Sequence, residues 1–153
     1  LMHNRSRSSA VRRDRRIGAE YEGVDYGHVI EEVAAELRDG CARASDAGII
    51  GERIAVDPGI GFGKSVMQNL ALINHLDRLK RETGFPILIG PSRKSFIGRV
   101  LDMPVEARLE GTLACIVAGV LRGADIVRVH DVAEAARAVR MADAIREAPE
   151  DAS

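Results

Sequence analysis

Hydrophobic positions along the chain change spacing in a regular way. From Asp25 onward, Ile30, Val33, Leu37 and Cys41 recur at steps of three and four, and Gly48 closes the stretch. That spacing predicts an amphipathic helix. The next apolar run, "RIAVDPG" (53–59), is short and stops at Pro58 and Gly59, as a buried strand does. Asn69 is then expected to cap a second helix whose stripe is Leu70, Ile73, Leu76 and Leu79. "FPILIG" (85–90) predicts a second strand and "ADIVRVH" (124–130) a third. Between them a helix is expected over about Val105 to Arg122, and Asp131 is expected to cap a last helix running to about Arg146. The opening "LMHNR" looks like the tail of one more strand, on a chain with no methionine at position 1.

The order is therefore strand tail, helix, strand, helix, strand, helix, strand, helix. Alternation with continuous apolar strands predicts an α/β fold, a parallel sheet covered by helices. Four such units suit an open doubly wound sheet or half of an eight-unit barrel, and the pattern does not choose. No domain boundary is visible, so one domain across 1–153 is expected. Residues 5–20, rich in arginine and without periodicity, predict a solvated surface loop.

Composition narrows the function. The chain has 153 residues, 22 basic and 23 acidic, with a net charge of −1. It is long enough for a real core and has no global basic field to attract nucleic acid. No window approaches the roughly 18 apolar residues of a membrane helix, and no secretory leader is evident. A soluble cytoplasmic protein is the expectation. Cys41 and Cys115 lie far apart without neighbouring ligands, and are expected to be small apolar residues with no part in a metal site.

Chemistry should gather where strands end. Strand alternation puts Ile54 and Val56 on one face, and Ala55 and Asp57 on the other. Pro58 biases Asp57 to an extended backbone. On the last strand, Val127 and Val129 face one way and Arg128 and His130 the other. An arginine and a histidine two residues apart at a strand exit suit a phosphate group. "DPGIGFGKS" fails the nucleotide P-loop test, because Pro58 stands where the first glycine is required. It fails the dinucleotide fingerprint too, because Lys64 stands at the third glycine. Its glycines are expected to fold a loop over a ligand, with Phe62 as an apolar wall. "GPSRKSFIG" (90–98) follows a strand and starts a helical turn, where Ser95 and backbone N–H groups can hold a carboxylate and Lys94 can reach a polar ring.

These stretches resemble the dihydropteroate synthase family of pterin-binding barrels. The residues that carry the resemblance are "MHNR" (2–5), "DPGIGFGK" (57–64), "SRKSFIG" (92–98), "RLEGT" (108–112) and "RVHDV" (128–132). The resemblance implies the C-terminal half of a (β/α)8 TIM barrel, from about strand 5 to helix 8. It implies condensation of p-aminobenzoate with 6-hydroxymethyl-7,8-dihydropterin pyrophosphate, the folate-pathway step that sulfonamides block. It also implies Mg²⁺, with its ligand in the N-terminal half, and a homodimer that takes small molecules and no nucleic acid or membrane.

By position, the pterin would be held by Asp57, Lys94 and Arg128, with Met2 and Asn4 nearby. Ser92, Ser95, Phe62 and Gly61 would hold the aminobenzoate, and Arg128 and His130 the pyrophosphate. Lys94 and Arg128 would carry the catalysis, and no residue of this chain would bind metal. Pro91 departs from the family pattern without removing a ligand. The implied N-terminal half, with two loops and further Asn and Asp ligands, has no counterpart here, so this stretch alone is expected to be inactive or nearly so. Two alternatives accompany this reading: a binding half-barrel without activity, and a methyltetrahydrofolate–corrinoid methyltransferase relative.

Overall fold

A computed structural model describes residues 1–6, 11–14, 18–21 and 25–151, with side chains described outside 11–21. Two strands, β1 (Val11–Asp14) and β2 (Gly18–Tyr21), pair antiparallel with Val11 opposite Tyr21. Helices follow as α1 (Val29–Asp46), α2 (Val66–Asn74) and α3 (Leu76–Thr83). Then come β3 (Leu88–Ile89), α4 (Ser95–Leu101), α5 (Leu109–Leu121), β4 (Ile126–Val127) and α6 (Val132–Glu147).

The central sheet is parallel throughout its described contacts, as the pattern predicts. Met2 bridges Asp57, Val56 bridges Ile87, and β3 pairs with β4 through Leu88–Ile126 and Ile89–Val127. Each strand thus lies beside its predecessor in the chain. The ladders are shorter than the apolar runs that announced them. Helices cover one face. Val33, Val56, Leu72, Leu79, Ile87 and Ile89 are fully enclosed there, with Leu37 and Ile54 close to it. A smaller cluster of Ile116, Val120, Ala135 and Ala142 joins α5 to α6. Cys41 is buried and Cys115 packs half-buried against the core, both as free thiols. Among the described residues, no helix is long and apolar enough to cross a membrane.

The structure corrects the sequence-based boundaries in five places. Ser65, not Asn69, caps the second helix. Its hydroxyl accepts from the backbone N of Gln68, and the Gln68 side chain accepts from the backbone N of Ser65. The Asn69 amide is committed elsewhere, as described below. The single expected helix beyond it is two, because His75 leaves helical geometry between α2 and α3. The apolar spacing runs unbroken across that step, so periodicity could not reveal it. The helix expected from Val105 begins as a 3-10 turn (Val105–Ala107), and α5 starts only after Arg108. Asp131 occupies the cap position of α6, but its carboxylate goes to Arg93 and makes no cap bond. The expected loop at 5–20 contains β1 and most of β2, neither of which shows the apolar alternation that marks a half-buried strand. Residues 7–10 and 15–17 of that stretch lie outside the described residues.

Candidate functional site

Asp57, at the end of its strand, is buried on the face opposite Ile54 and Val56. The turn that Pro58 opens brings the Gly59 N–H within 2.7 Å of Asp57 Oδ1. Burial raises the Asp57 pKa. The Gly59 N–H and the nearby Arg128, Lys94 and Lys64 cations oppose that rise. Arg128 Nη2 lies 3.8 Å from Asp57 Oδ2, with the Arg128 side chain largely exposed. This is a loose pair, free to re-form around a ligand. The guanidinium crosses Gly90 closely: a Cβ at Gly90 would lie 3.1 Å from Nη2.

The loop after Asp57 closes on itself. Lys64 is buried, and its ammonium group is 3.1 Å from Gly59 O, from Phe62 O and from His3 Nδ1. Because an ammonium only donates, His3 Nδ1 accepts and Nε2 carries the ring proton. His3 Nε2 lies 3.1 Å from Glu36 Oε2, off the line of a hydrogen bond. Burial lowers the Lys64 pKa to about 8. Burial first, and then the Lys64 charge, lowers that of His3 to about 4. Asn69 is the second clasp: its Oδ1 accepts from Gly61 N at 2.6 Å and its Nδ2 donates to the carbonyls of Lys64 and Ser65. Lys64 and Asn69 together hold Gly61 and Phe62 up towards the strand ends.

Lys94 meets them there. Its Nζ sits 3.8 Å above the centre of the Phe62 ring, and its stem crosses Gly61, where a Cβ would lie 2.8 Å from Lys94 Cδ. Burial, with Arg128 adding to it, lowers the Lys94 pKa. The backbone beneath Lys94 is fixed from outside the site. Arg108, almost wholly buried, donates to the carbonyls of Arg93, Lys94 and Met103. Arg93 adopts a left-handed backbone, φ 55°, and gives its N–H to Thr112 Oγ1. Its side chain turns away to pair with Asp131 through two bonds. Of two adjacent cations, one is therefore structural and the other faces the hollow.

Phe62, Gly90, Ser92, Lys94, Arg128, Val129 and His130 line a hollow of about 230 Å³. Arg128 also walls a neighbouring hollow of about 250 Å³, together with Leu1, Met2, Ala55, Asp57 and Leu88. The arrangement offers cations and N–H donors on one side of Arg128 and a buried carboxylate on the other. Ser95 stands half-buried at the start of α4 beside Lys94. Ser92 is buried and bonded to His130. Asn4 is not brought in with the others. Its Oδ1 accepts from the backbone N and hydroxyl of Ser6, and it lines a separate depression with Glu36 and Arg43.

The roles of Lys64, His3, Asn69 and Arg108 were not read from the sequence. Lys64 and Arg108 fall inside stretches that carry the resemblance, but nothing in their spacing says which carbonyls they reach. Among the described residues, no three His, Cys, Asp or Glu side chains gather as a metal site would require.

Residues 1–130 match the family described as "Pterin binding enzyme". The chain is 45% identical over 146 residues to the dihydropteroate synthase of Clostridium beijerinckii, covering 95% of itself and 48% of that protein. In structure it is similar to the Clostridium difficile dihydropteroate synthase solved in the presence of pteroic acid. There the TM-score is 0.80 at 40% identity, over 95% of this chain and 49% of the other. It is similar also to the Xanthomonas albilineans dihydropteroate synthase solved with 4-aminobenzoic acid. That TM-score is 0.82 at 36% identity, over 97% and 49%. The chain thus spans about half the length of the relatives it matches.

Proposed function

The chain belongs to the family of pterin-binding enzymes, and on that footing we propose that it is the C-terminal half of a dihydropteroate synthase barrel. Sheet order supports the barrel. Four successive parallel strands lie in chain order without the reversal that marks a doubly wound sheet. The observation that carries the function is Arg128 standing between two hollows, one with Asp57 and the other with Lys94, Phe62 and His130. A pterin ring rich in donors suits the Asp57 side, where its amino and ring N–H groups meet a buried carboxylate. Met2 walls that side. Pyrophosphate suits Arg128 and His130. p-Aminobenzoate suits the wall of Phe62 and Gly61, with its carboxylate at Ser95 and Lys94 alongside.

In the reaction the C–O bond from the pterin methylene to pyrophosphate breaks and the arylamine nitrogen bonds to that carbon. Arg128 and His130 counter the charge that accumulates on the departing oxygens. Lys94, held over Phe62, helps orient the two rings. No strong base is needed, since the amine sheds its proton after attack. Magnesium, which the resemblance implies, does not fit the residues described. Among the described residues, Asp57 is the only carboxylate lining either hollow, and it already accepts the Gly59 N–H. No step above passes through the metal. We place the intact enzyme in the cytoplasm as a homodimer, with sulfonamides competing for the aminobenzoate wall.

Calorimetric titration of the 153-residue chain with inorganic pyrophosphate, p-aminobenzoate and a pterin tests the site. Arg128→Met should weaken pyrophosphate binding about tenfold or more, the worth of a charged hydrogen bond. No affinity for any of the three would refute the reading. A coupled assay for dihydropteroate should detect little or no turnover by this chain alone. Substantial turnover would show that it needs no other half, and binding without turnover fits a fragment.

A further inference from the structure

Ser92 has more to do than line a wall. It is 5% exposed, and its hydroxyl oxygen has two partners on one residue. Oγ is 3.2 Å from the backbone N of His130 and 2.9 Å from His130 Nδ1. A backbone N–H can only donate, so the first contact uses an Oγ lone pair. The second contact can run either way. If Nδ1 carried a hydrogen, Oγ would accept twice, and the hydroxyl hydrogen would be left without a protein acceptor among the described residues. Ser92 has no other partner among the described residues. An unmade bond of that kind is unfavourable. If instead the hydroxyl donates to Nδ1, every group is satisfied.

We infer that Ser92 is a positioning residue that holds the His130 imidazole as the Nε2–H tautomer, so that an N–H donor is presented beside Arg128. The neighbouring residues reinforce the contact. Arg93 and Asp131, one position further along each loop, join the same two segments at 3.0 and 2.5 Å. Two adjacent side-chain pairs, each spanning 38 residues, thus fix the His130 ring to the loop that carries Lys94. The inference also divides the two serines. The single hydrogen of Ser92 is committed to His130, which leaves Ser95 to meet a carboxylate. The use of Nε2–H towards a phosphate oxygen and of Ser95 towards a carboxylate rests on the function proposed above; the tautomer does not.

The test is a two-bond ¹H–¹⁵N correlation of the histidine rings in the labelled chain, at a pH above the imidazole titration, about 8. The His130 signals are assigned by their loss in His130→Asn. The wild type should show a protonated Nε2 and a bare Nδ1. Ser92→Ala should give a mixture of tautomers, and Ser92→Thr, which keeps the hydroxyl, should restore the single form. A wild-type ring protonated at Nδ1 overturns the inference. So does a Ser92→Ala chain with a folded backbone spectrum and an unchanged tautomer. Should Ser92→Ala fail to fold, the wild type and Ser92→Thr still decide. Pyrophosphate titrated into the same samples should bind Ser92→Ala several-fold more weakly. A fixed Nε2–H tautomer with no pyrophosphate affinity would uphold Ser92's role and refute the phosphate reading alone.

Discussion

Gly59 and Gly84 have nearly the same backbone, φ 70° and 74°, in opposite surroundings. A Cβ at Gly59 would lie 1.9 Å from the His3 carbonyl oxygen, while nothing stands within 4 Å of one at Gly84. Gly84→Ala should therefore cost only the left-handed strain, about 1–2 kcal/mol. Gly59→Ala must also push two backbone segments apart and should cost more than about 4 kcal/mol or prevent folding. Urea unfolding of the pair measures the difference, and equal losses would contradict the packing described.

His3 gives a pH test. Its pKa is about 4 folded against 6.5 in the unfolded chain, so between those values the unfolded chain takes up a proton that the folded one refuses. The stability His3 contributes is full above about 6.5 and is lost as pH falls towards 4. His3→Asn keeps an acceptor for Lys64 and removes the titration. The variant should lose less stability than wild type between about pH 7 and about pH 5; parallel losses would exclude this role for His3. Part of the site was legible at this scale because strand alternation is local: Asp57 and Arg128 line one hollow together, as alternation expects, whereas His130 lies past the end of β4 and Val129, expected on the opposite face, lines the same hollow as His130. Lys64, Arg108 and the Ser92–His130 bond were not legible, because their partners are set by how distant segments meet.

Elements were legible where apolar spacing carries them and illegible where polar side chains choose between partners. Ser65 and Gln68 form the signature of a helix start, yet Asn69 looks equally able to cap until its amide is seen spanning Gly61, Lys64 and Ser65. Ser65→Ala should cost about 1 kcal/mol, mostly through α2. Asn69→Ala should cost more and should also free Gly61. Hydrogen exchange at the Gly61 amide separates them: fast in Asn69→Ala, near wild type in Ser65→Ala. Arg108 plays the corresponding part for α4 and α5. It fills the space above Gly98, where a Cβ would lie 2.2 Å from its guanidinium. Arg108→Lys, which cannot fork to several carbonyls, should lower the melting temperature by several degrees.

For the whole molecule, α/β alternation was plain from the sequence, while the choice between open sheet and barrel was not, because local periodicity is the same in both. On the outer side, Met141 and Ile145 leave an exposed apolar strip one turn long on α6, which supports the proposed dimer. Met141→Glu should shift the chain towards monomer in light scattering at fixed concentration. An unchanged mass would place any dimer contact elsewhere. The chain-order sheet carries one more implication, for synthesis. Each strand finds its neighbour already made: Asp57 adds beside Met2, Ile87 beside Val56, and Ile126 beside Leu88. A nascent chain emerging from the ribosome never has to hold a gap open for a strand still to come. Over these strands the sheet grows at its newest strand, and that edge is one at which a stalled or broken translation product would stick to its neighbours.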